Sequence, residues 1–327
     1  MREQTIAYPS AKHDTRLEQK EKRKRRRRKL FRENYELYLL LIPALIHLFV
    51  FSYIPLYGIV IAFQEYTPGM PFFSFDGSVK WVGLKHFKDF LTSPMAPRLF
   101  FNTFWLSFLN LLFAFFIPIL FALLVNELGD NTFKKFVQTA SYMPHFISTV
   151  VVVGMALSFI STKGIVNIFL GMFGVPPKAY NVLPSAFPWV YLITNIWKGF
   201  GWSSILYLST IASIDQGLYE SAKMDGASRW KRCIYITLPH MAGLISIQFI
   251  FAVGSLLSSN TEMILLMYNP AVYSTADVIG TYLYRDGLMG GRFSYGTAVG
   301  LFVSIINFTL LFCCNKVSTK LTDWGLW

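Results

Sequence analysis

The chain has 327 residues, of which 54% are hydrophobic and only 15% charged, and its mean hydropathy is +0.43. Soluble domains carry about 25% charged residues, so this balance argues against an ordinary soluble globule and for a chain that crosses a membrane. The formal net charge is +12; the three cysteines and five histidines show neither CxxC nor metal-ligand spacing, so neither a disulfide framework nor a metal site is expected.

In chain order, the first element is a basic tail. Residues 1–35 hold thirteen of the thirty Lys and Arg residues, with the run KRKRRRRK at 22–29. Like charges repel, so this tail is expected to be disordered. The positive-inside rule holds it in the cytoplasm, where it meets anionic lipid headgroups beside the first span. A basic run can also bind nucleic acid, but the adjoining hydrophobic span favours lipid, and no nucleic-acid partner is expected.

A spanning helix needs about 20 mainly apolar residues, and six such stretches follow, near 37–63, 100–125, 137–160, 186–212, 240–267 and 296–315. The fold class is therefore all-α and polytopic. The first span is too long for a signal-peptide core and is retained. Pro43, Pro55, Pro118, Pro144 and Pro188 lie inside spans, which lipid tolerates when neighbouring helices satisfy the freed carbonyls. Six spans that start inside leave both termini in the cytoplasm. The organisation is a tail at 1–35, a first span with its outer loop at 36–99, a five-helix core at 100–315 and a cytoplasmic tail at 316–327. In the outer loop, GLKHFKDFL puts Leu84, Phe87, Phe90 and Leu91 on one helical face, which suits either an interfacial helix at the headgroups or contact with an external protein.

The fourth span is the most polar and contains TNIWKGFGW at 194–202. A lysine near the bilayer centre costs about 2.5–3.5 kcal/mol on insertion scales, so Lys198 should face the bundle interior and meet a partner. Asn195, Trp197, Trp202 and Ser203 lie close by in sequence, with Asn260 and Glu262 on the fifth span. Aromatic faces beside amides and hydroxyls suit sugars, and a fixed cation would favour acidic ones. Alternatively Lys198 pairs with an acid or with backbone carbonyls and never meets cargo, and the aromatics are plain packing.

Between spans 4 and 5 comes YESAKMDGASRWKRCIYITLP, 219–239. Asp215 can cap a helix over 216–224, Gly226 supplies a turn, and a second helix starts near Ser228 and closes at Pro239. On it Ala227, Trp230, Cys233 and Ile234 share a face, leaving Arg229, Lys231 and Arg232 for the rest.

Glu220-Ser221-Ala222, three residues to Gly226, then nine to Ile236-Thr237-Leu238-Pro239 resembles the EAA loop of permease subunits in bacterial ABC importers. Ser221 in place of an alanine is the one departure. Further likeness, in segments such as WVGLKHFKDF (81–90) and IWKGFGWSSILYL (196–208), is to the LplB-like sugar-permease branch. The resemblance implies a six-helix type I importer permease of MetI-like fold in a bacterial cell membrane, carrying oligosaccharides. It implies that Glu220, Ser221, Ala222, Asp225, Gly226, Ile236, Leu238 and Pro239 couple the chain to cytoplasmic ATP-binding subunits. It also implies a second permease subunit, as a heterodimer, and an extracytoplasmic substrate-binding protein. The sequence has no G-x-x-x-x-G-K-[ST], G-x-S-x-G or H-E-x-x-H, so no enzyme and no cofactor of its own is expected. The alternative is a secondary transporter or channel for small polar solutes. Such carriers show internal repeats and buried acids, and no repeat and no Asp within a span is visible.

Overall fold

The computed structural model describes residues 29–31, 33–74, 77, 79–129 and 131–327. The expectations for residues 1–28 lie outside the described residues. The chain divides into two compact units, Met1–Val60 and Ile61–Trp327.

In the first unit, α1 (Tyr35–Leu48) widens into a π-turn at Phe49–Tyr53 before Ile54 starts a tighter helix. The same device recurs in the second unit at Asn110–Ala114 and Cys233–Thr237, and another π-turn lies at Leu283–Met289. A helical proline clashes with the carbonyl four residues earlier. Pro55, Pro118 and Pro239 put that clash at Phe51, Ala114 and Tyr235, each inside one of these widened turns, whereas the turn at Leu283–Met289 has no proline after it. Shifting the bond register there lets the helix pass its proline without ending.

The second unit opens with α2 (Lys85–Leu91). Then α3 (Ala96–Leu109) and α4 (Phe116–Asn126) form one 31-residue run through the second π-turn. Next come α5 (Thr132–Phe146), α6 (Thr149–Phe159), the short α7 (Ile165–Gly171) and α8 (Phe187–Ala212). On the expected inner loop lie α9 (Gln216–Met224) and α10 (Arg229–Arg232). The chain ends with α11 (Leu238–Gly254), α12 (Thr261–Met267) and the 30-residue α13 (Phe293–Thr322). Among the described residues the β-structure is one isolated bridge, Gln64 to Trp81.

Among the described residues four helical runs are long and apolar enough to cross a membrane, and a bent pair makes up to five. Two expected spans are reshaped. The third is α5 and α6, bent by 101° where Pro144 and the extended Ile147 end α5 and Ser148 caps α6. The fifth stops at Gly254, and Ser255–Asn260 run as non-helical chain before α12. The fourth, α8, is a 26-residue helix whose polar side chains keep it below the hydropathy of the others. The last runs past 315 to Thr322, so most of the expected C-terminal tail is helix.

The connections within 64–99 and 268–295 are tied by charge. Glu65 meets Lys80 at 2.6 Å and Lys85 at 2.9 Å, and hydrogen bonds from these ammonium groups hold its carboxyl at about 2, below the ordinary 4.5. This tie is complete at neutral pH and is lost only as the pH falls through that low value. Asp277 is fully buried and takes Arg285 in a bidentate pair at 3.1 and 2.9 Å, with Thr281 Oγ1 donating at 2.8 Å. The α2 face divides: Phe90 is buried against Tyr282, Tyr295 and Val299, whereas Leu84 and Leu91 stay exposed. Burial of Phe90 against α13 makes α2 a packed element of the outer layer as well as an apolar surface.

Helices α5 and α8 approach closely where Gly201 faces the backbone of Ser141: a Cβ there would overlap the Ser141 carbonyl. Gly201→Val should force the two helices apart and cost about 1–3 kcal/mol, read as a lowered melting temperature in detergent; an unchanged melting temperature would contradict this packing.

Candidate functional site: an inner docking loop and a polar cavity

The inner loop is built by local chemistry. Asp215 accepts from Gly217 N–H at 2.9 Å and starts α9. Gly226, at φ +75°, ends it. Its N–H donates to Lys223 O at 3.0 Å, and Ala227 N–H donates to Ala222 O at 2.8 Å, the paired bonds of a Schellman cap. Ser228 then caps α10 by accepting from Lys231 N–H at 3.3 Å. Tyr219 and Thr237 share a hydroxyl hydrogen bond of 2.9 Å that ties α9 to the chain entering α11. The second helix does not close at Pro239: Arg229–Gly254 is one run, because the Cys233–Thr237 π-turn absorbs the proline.

The loop's outward face is apolar where a free loop would be polar. Met224 is 89% exposed, Tyr235 75% and Trp230 72%. Among the described residues Glu220 is exposed and makes no ion pair or side-chain hydrogen bond, and Ser221 and Asp225 are exposed beside it. Ala222, Ile236 and Leu238 are half-buried, and Pro239 is exposed. Large uncovered apolar side chains on a loop of this kind are suited to docking.

The second feature is a cavity of about 430 Å³ enclosed by α3, α4, α8, α11 and the non-helical Ser255–Asn260 segment. An amide chain crosses beside it. Asn195 donates to Asn110 Oδ1 at 2.8 Å and accepts from Asn260 Nδ2 at 3.4 Å. Asn110 donates onward to Leu106 O at 2.9 Å, and Asn260 N–H donates to the buried Tyr191 hydroxyl at 3.2 Å. Two lining hydroxyls, Ser107 Oγ and Ser259 Oγ, are buried with no hydrogen-bond partner among the described residues. Buried donors without partners are costly, so the cavity is a place for water or a hydroxylated guest.

Of the residues singled out from sequence, Asn195, Ser203 and Asn260 line this cavity. Lys198 does not: its Nζ donates to His145 O at 3.2 Å and Ile147 O at 2.7 Å, the carbonyls released where α5 ends. Trp202 stacks on His145 with centroids 4.5 Å apart and planes 2° from parallel. Trp197 lines a separate apolar groove, and Glu262 is exposed in the first turn of α12. Sequence reasoning missed Ser107, Asn110, Tyr191, Tyr207 and Gln248, which also line the cavity. Their signal is a single amide or hydroxyl inside a strongly apolar span.

Residues 114–320 match the family model described as binding-protein-dependent transport system inner membrane component. The chain belongs to that family. It is accordingly a multi-pass transport permease subunit, and the matched region holds both the inner loop and most of the cavity wall. It is 40% identical over 309 residues to the polygalacturonan/rhamnogalacturonan transport system permease protein YteP of Bacillus subtilis, covering 94% of this chain and 95% of that one. It is also 40% identical to Protein LplB of the same organism, covering 89% and 90%. A solved bacterial ABC transporter involved in the import of the acidic polysaccharide alginate contains a chain 38% identical to this one. That similarity has a TM-score of 0.81 and covers 91% of this chain and 99% of the other. A related structure holds the alginate transporter in complex with an alginate pentasaccharide-bound periplasmic protein. These matches support the MetI-like permease fold and leave the secondary-carrier alternative without support.

Two outcomes are expected from this geometry. Gly226→Val places a β-branched residue at positive φ, a cost of roughly 1–2 kcal/mol. The variant should insert normally and transport poorly; near-normal uptake at normal membrane abundance would contradict a docking role. Lys198→Met should leave two carbonyls unbonded, lower stability by about 1–3 kcal/mol and reduce uptake of acidic and neutral cargo alike. A selective loss of acidic cargo would instead show that Lys198 meets substrate.

Proposed function

We propose that the chain is the membrane subunit of an ATP-driven importer of acidic oligosaccharides, which it passes inward through the cavity between α3, α4, α8 and α11. The observation that carries this reading is the inner loop. Its Schellman turn at Gly226 fixes two short helices, and its exposed Glu220, Met224, Trp230 and Tyr235 form a surface for a cytoplasmic ATPase to grip. Glu220 pairs there with a basic group, Ala222 packs closely, and Leu238-Pro239 carry the movement into α11. The same reading assigns coupling to Ser221, Asp225 and Ile236.

The cavity supplies the path. Amides of Asn110, Asn195 and Asn260, with the hydroxyls of Tyr191, Ser203 and Ser259, offer donors and acceptors that replace the hydration of sugar hydroxyls. Acidic cargo is supported by the relatives, since polygalacturonan and alginate are both polyuronates. The carboxylates travel on neutral donors rather than on Lys198, whose ammonium is already engaged. Trp197, Trp202 and Glu262 serve the bundle's packing and outer rim. A second, different permease chain completes the pathway, a binding protein delivers cargo from outside, and both termini face the cytoplasm.

Uptake of an oligogalacturonate by cells expressing the whole transporter should cease when the P-loop lysine of the ATPase subunit is replaced, and a neutral oligosaccharide of equal length should enter far more slowly. Uptake that persists with the crippled ATPase would overturn the assignment. Equal rates for the two cargoes would overturn only the acidic preference.

A further inference from the structure

A groove of about 530 Å³, separate from the polar cavity, is formed by α6, α7 and the outer half of α8. Its walls include Met155, Phe159, Leu170, Trp189, Ile193 and Trp197. Ile193 is 65% exposed and Trp189 50%, so this is hydrocarbon surface left open along a helix that crosses the bilayer.

Charge at the rim says what covers it. Asn167 is buried and acts as a clamp: its Nδ2 donates to Ser161 O and Lys178 O, each at 2.8 Å, and its Oδ1 accepts from Lys178 N–H at 3.0 Å. The clamp joins the turn after α6, the helix α7 and the segment returning to α8. Two lysines ride on these joined segments: Lys163, between the groove residues Ile160 and Val166, and Lys178, two residues before the groove residue Tyr180. Both are exposed, and among the described residues neither side chain has an ion pair or hydrogen bond. Residues 131–214, which supply every wall of the groove, contain no Asp or Glu. Beside the rim, α7 leaves Ile165, Ile168, Phe169 and Met172 exposed, a surface that belongs at the level of lipid headgroups.

We propose that this groove holds one acyl chain of an anionic phospholipid, with the lipid phosphate bridged by Lys163 and Lys178. An apolar slot whose connecting segments carry two exposed lysines and no acid complements an amphiphile with a long chain and a negative head. Near a membrane surface each lysine favours an anionic headgroup by about fivefold, and the two act on one phosphate. Trp189, near the start of α8, stands where indole rings gather at membrane interfaces.

The test is native mass spectrometry of the transporter, purified with its partner subunits in detergent and titrated with phosphatidylglycerol or phosphatidylcholine of identical chains. The readout is lipid retention and needs no transport. Wild type should retain phosphatidylglycerol at least about fivefold better, and the double variant Lys163→Gln/Lys178→Gln should lose that preference. Ile193→Trp, which fills the groove, should reduce retention of both lipids. A photoreactive residue at position 193 should cross-link phospholipid. Equal retention of the two lipids by wild type, a preference unchanged in the double variant, or a cross-link from position 193 to the second permease subunit would overturn the proposal.

Discussion

Wherever this chain interrupts a helix inside the membrane, the backbone groups set free must find partners within the protein, because hydrocarbon offers none. Several of these interruptions have a dedicated side chain. Lys198 takes the carbonyls of His145 and Ile147 where α5 ends. Asn307 on α13 accepts from Leu257 N–H at 3.0 Å and donates to Ser258 Oγ at 2.9 Å, holding the gap between α11 and α12. Tyr191 receives Asn260 N–H, and Asn110 bonds Leu106 O at the start of its own widened turn. A positive charge in the bundle is expensive, and here it is offset by two carbonyls that would otherwise be orphans.

The same constraint creates the cavity. Side chains that satisfy broken backbone are polar, and once gathered from α3, α8 and the Ser255–Asn260 gap they leave a polar hollow between apolar walls. Irregular chain at membrane depth is tolerated where it lines such a hollow. Asn195 sits between two of these breaks, bonded firmly to Asn110 at 2.8 Å and loosely to Asn260 at 3.4 Å.

What could be read in the sequence was local. The loop at 213–239 was legible because its capping and turn residues lie within one short stretch: Asp215, Gly226 and Ser228 stand in the structure where their chemistry demands. The spans were legible as hydropathy, but their breaks were not, because Pro144 bends the chain while Pro55, Pro118 and Pro239 are each absorbed by a widened turn. The partner of Lys198 is a pair of backbone carbonyls some fifty residues away, which no side-chain pattern encodes. The cavity draws single polar residues from several helices, so Asn110, Tyr191 and Gln248 carry meaning only once the bundle brings them together.

Docking loop and cavity are joined by α11, which begins at Leu238 and ends at Gly254, directly before the Ser255–Asn260 gap. One helix therefore runs from the loop to the cavity wall. The most direct measurement is accessibility of a cysteine at position 258, in a chain whose Cys233, Cys313 and Cys314 are replaced by serine, to a membrane-impermeant maleimide added from outside. If ATP bound by the partner subunits moves this wall, the labelling rate changes several-fold when the ATPase is trapped with ATP. The same rate in the nucleotide-free and trapped states would contradict the account.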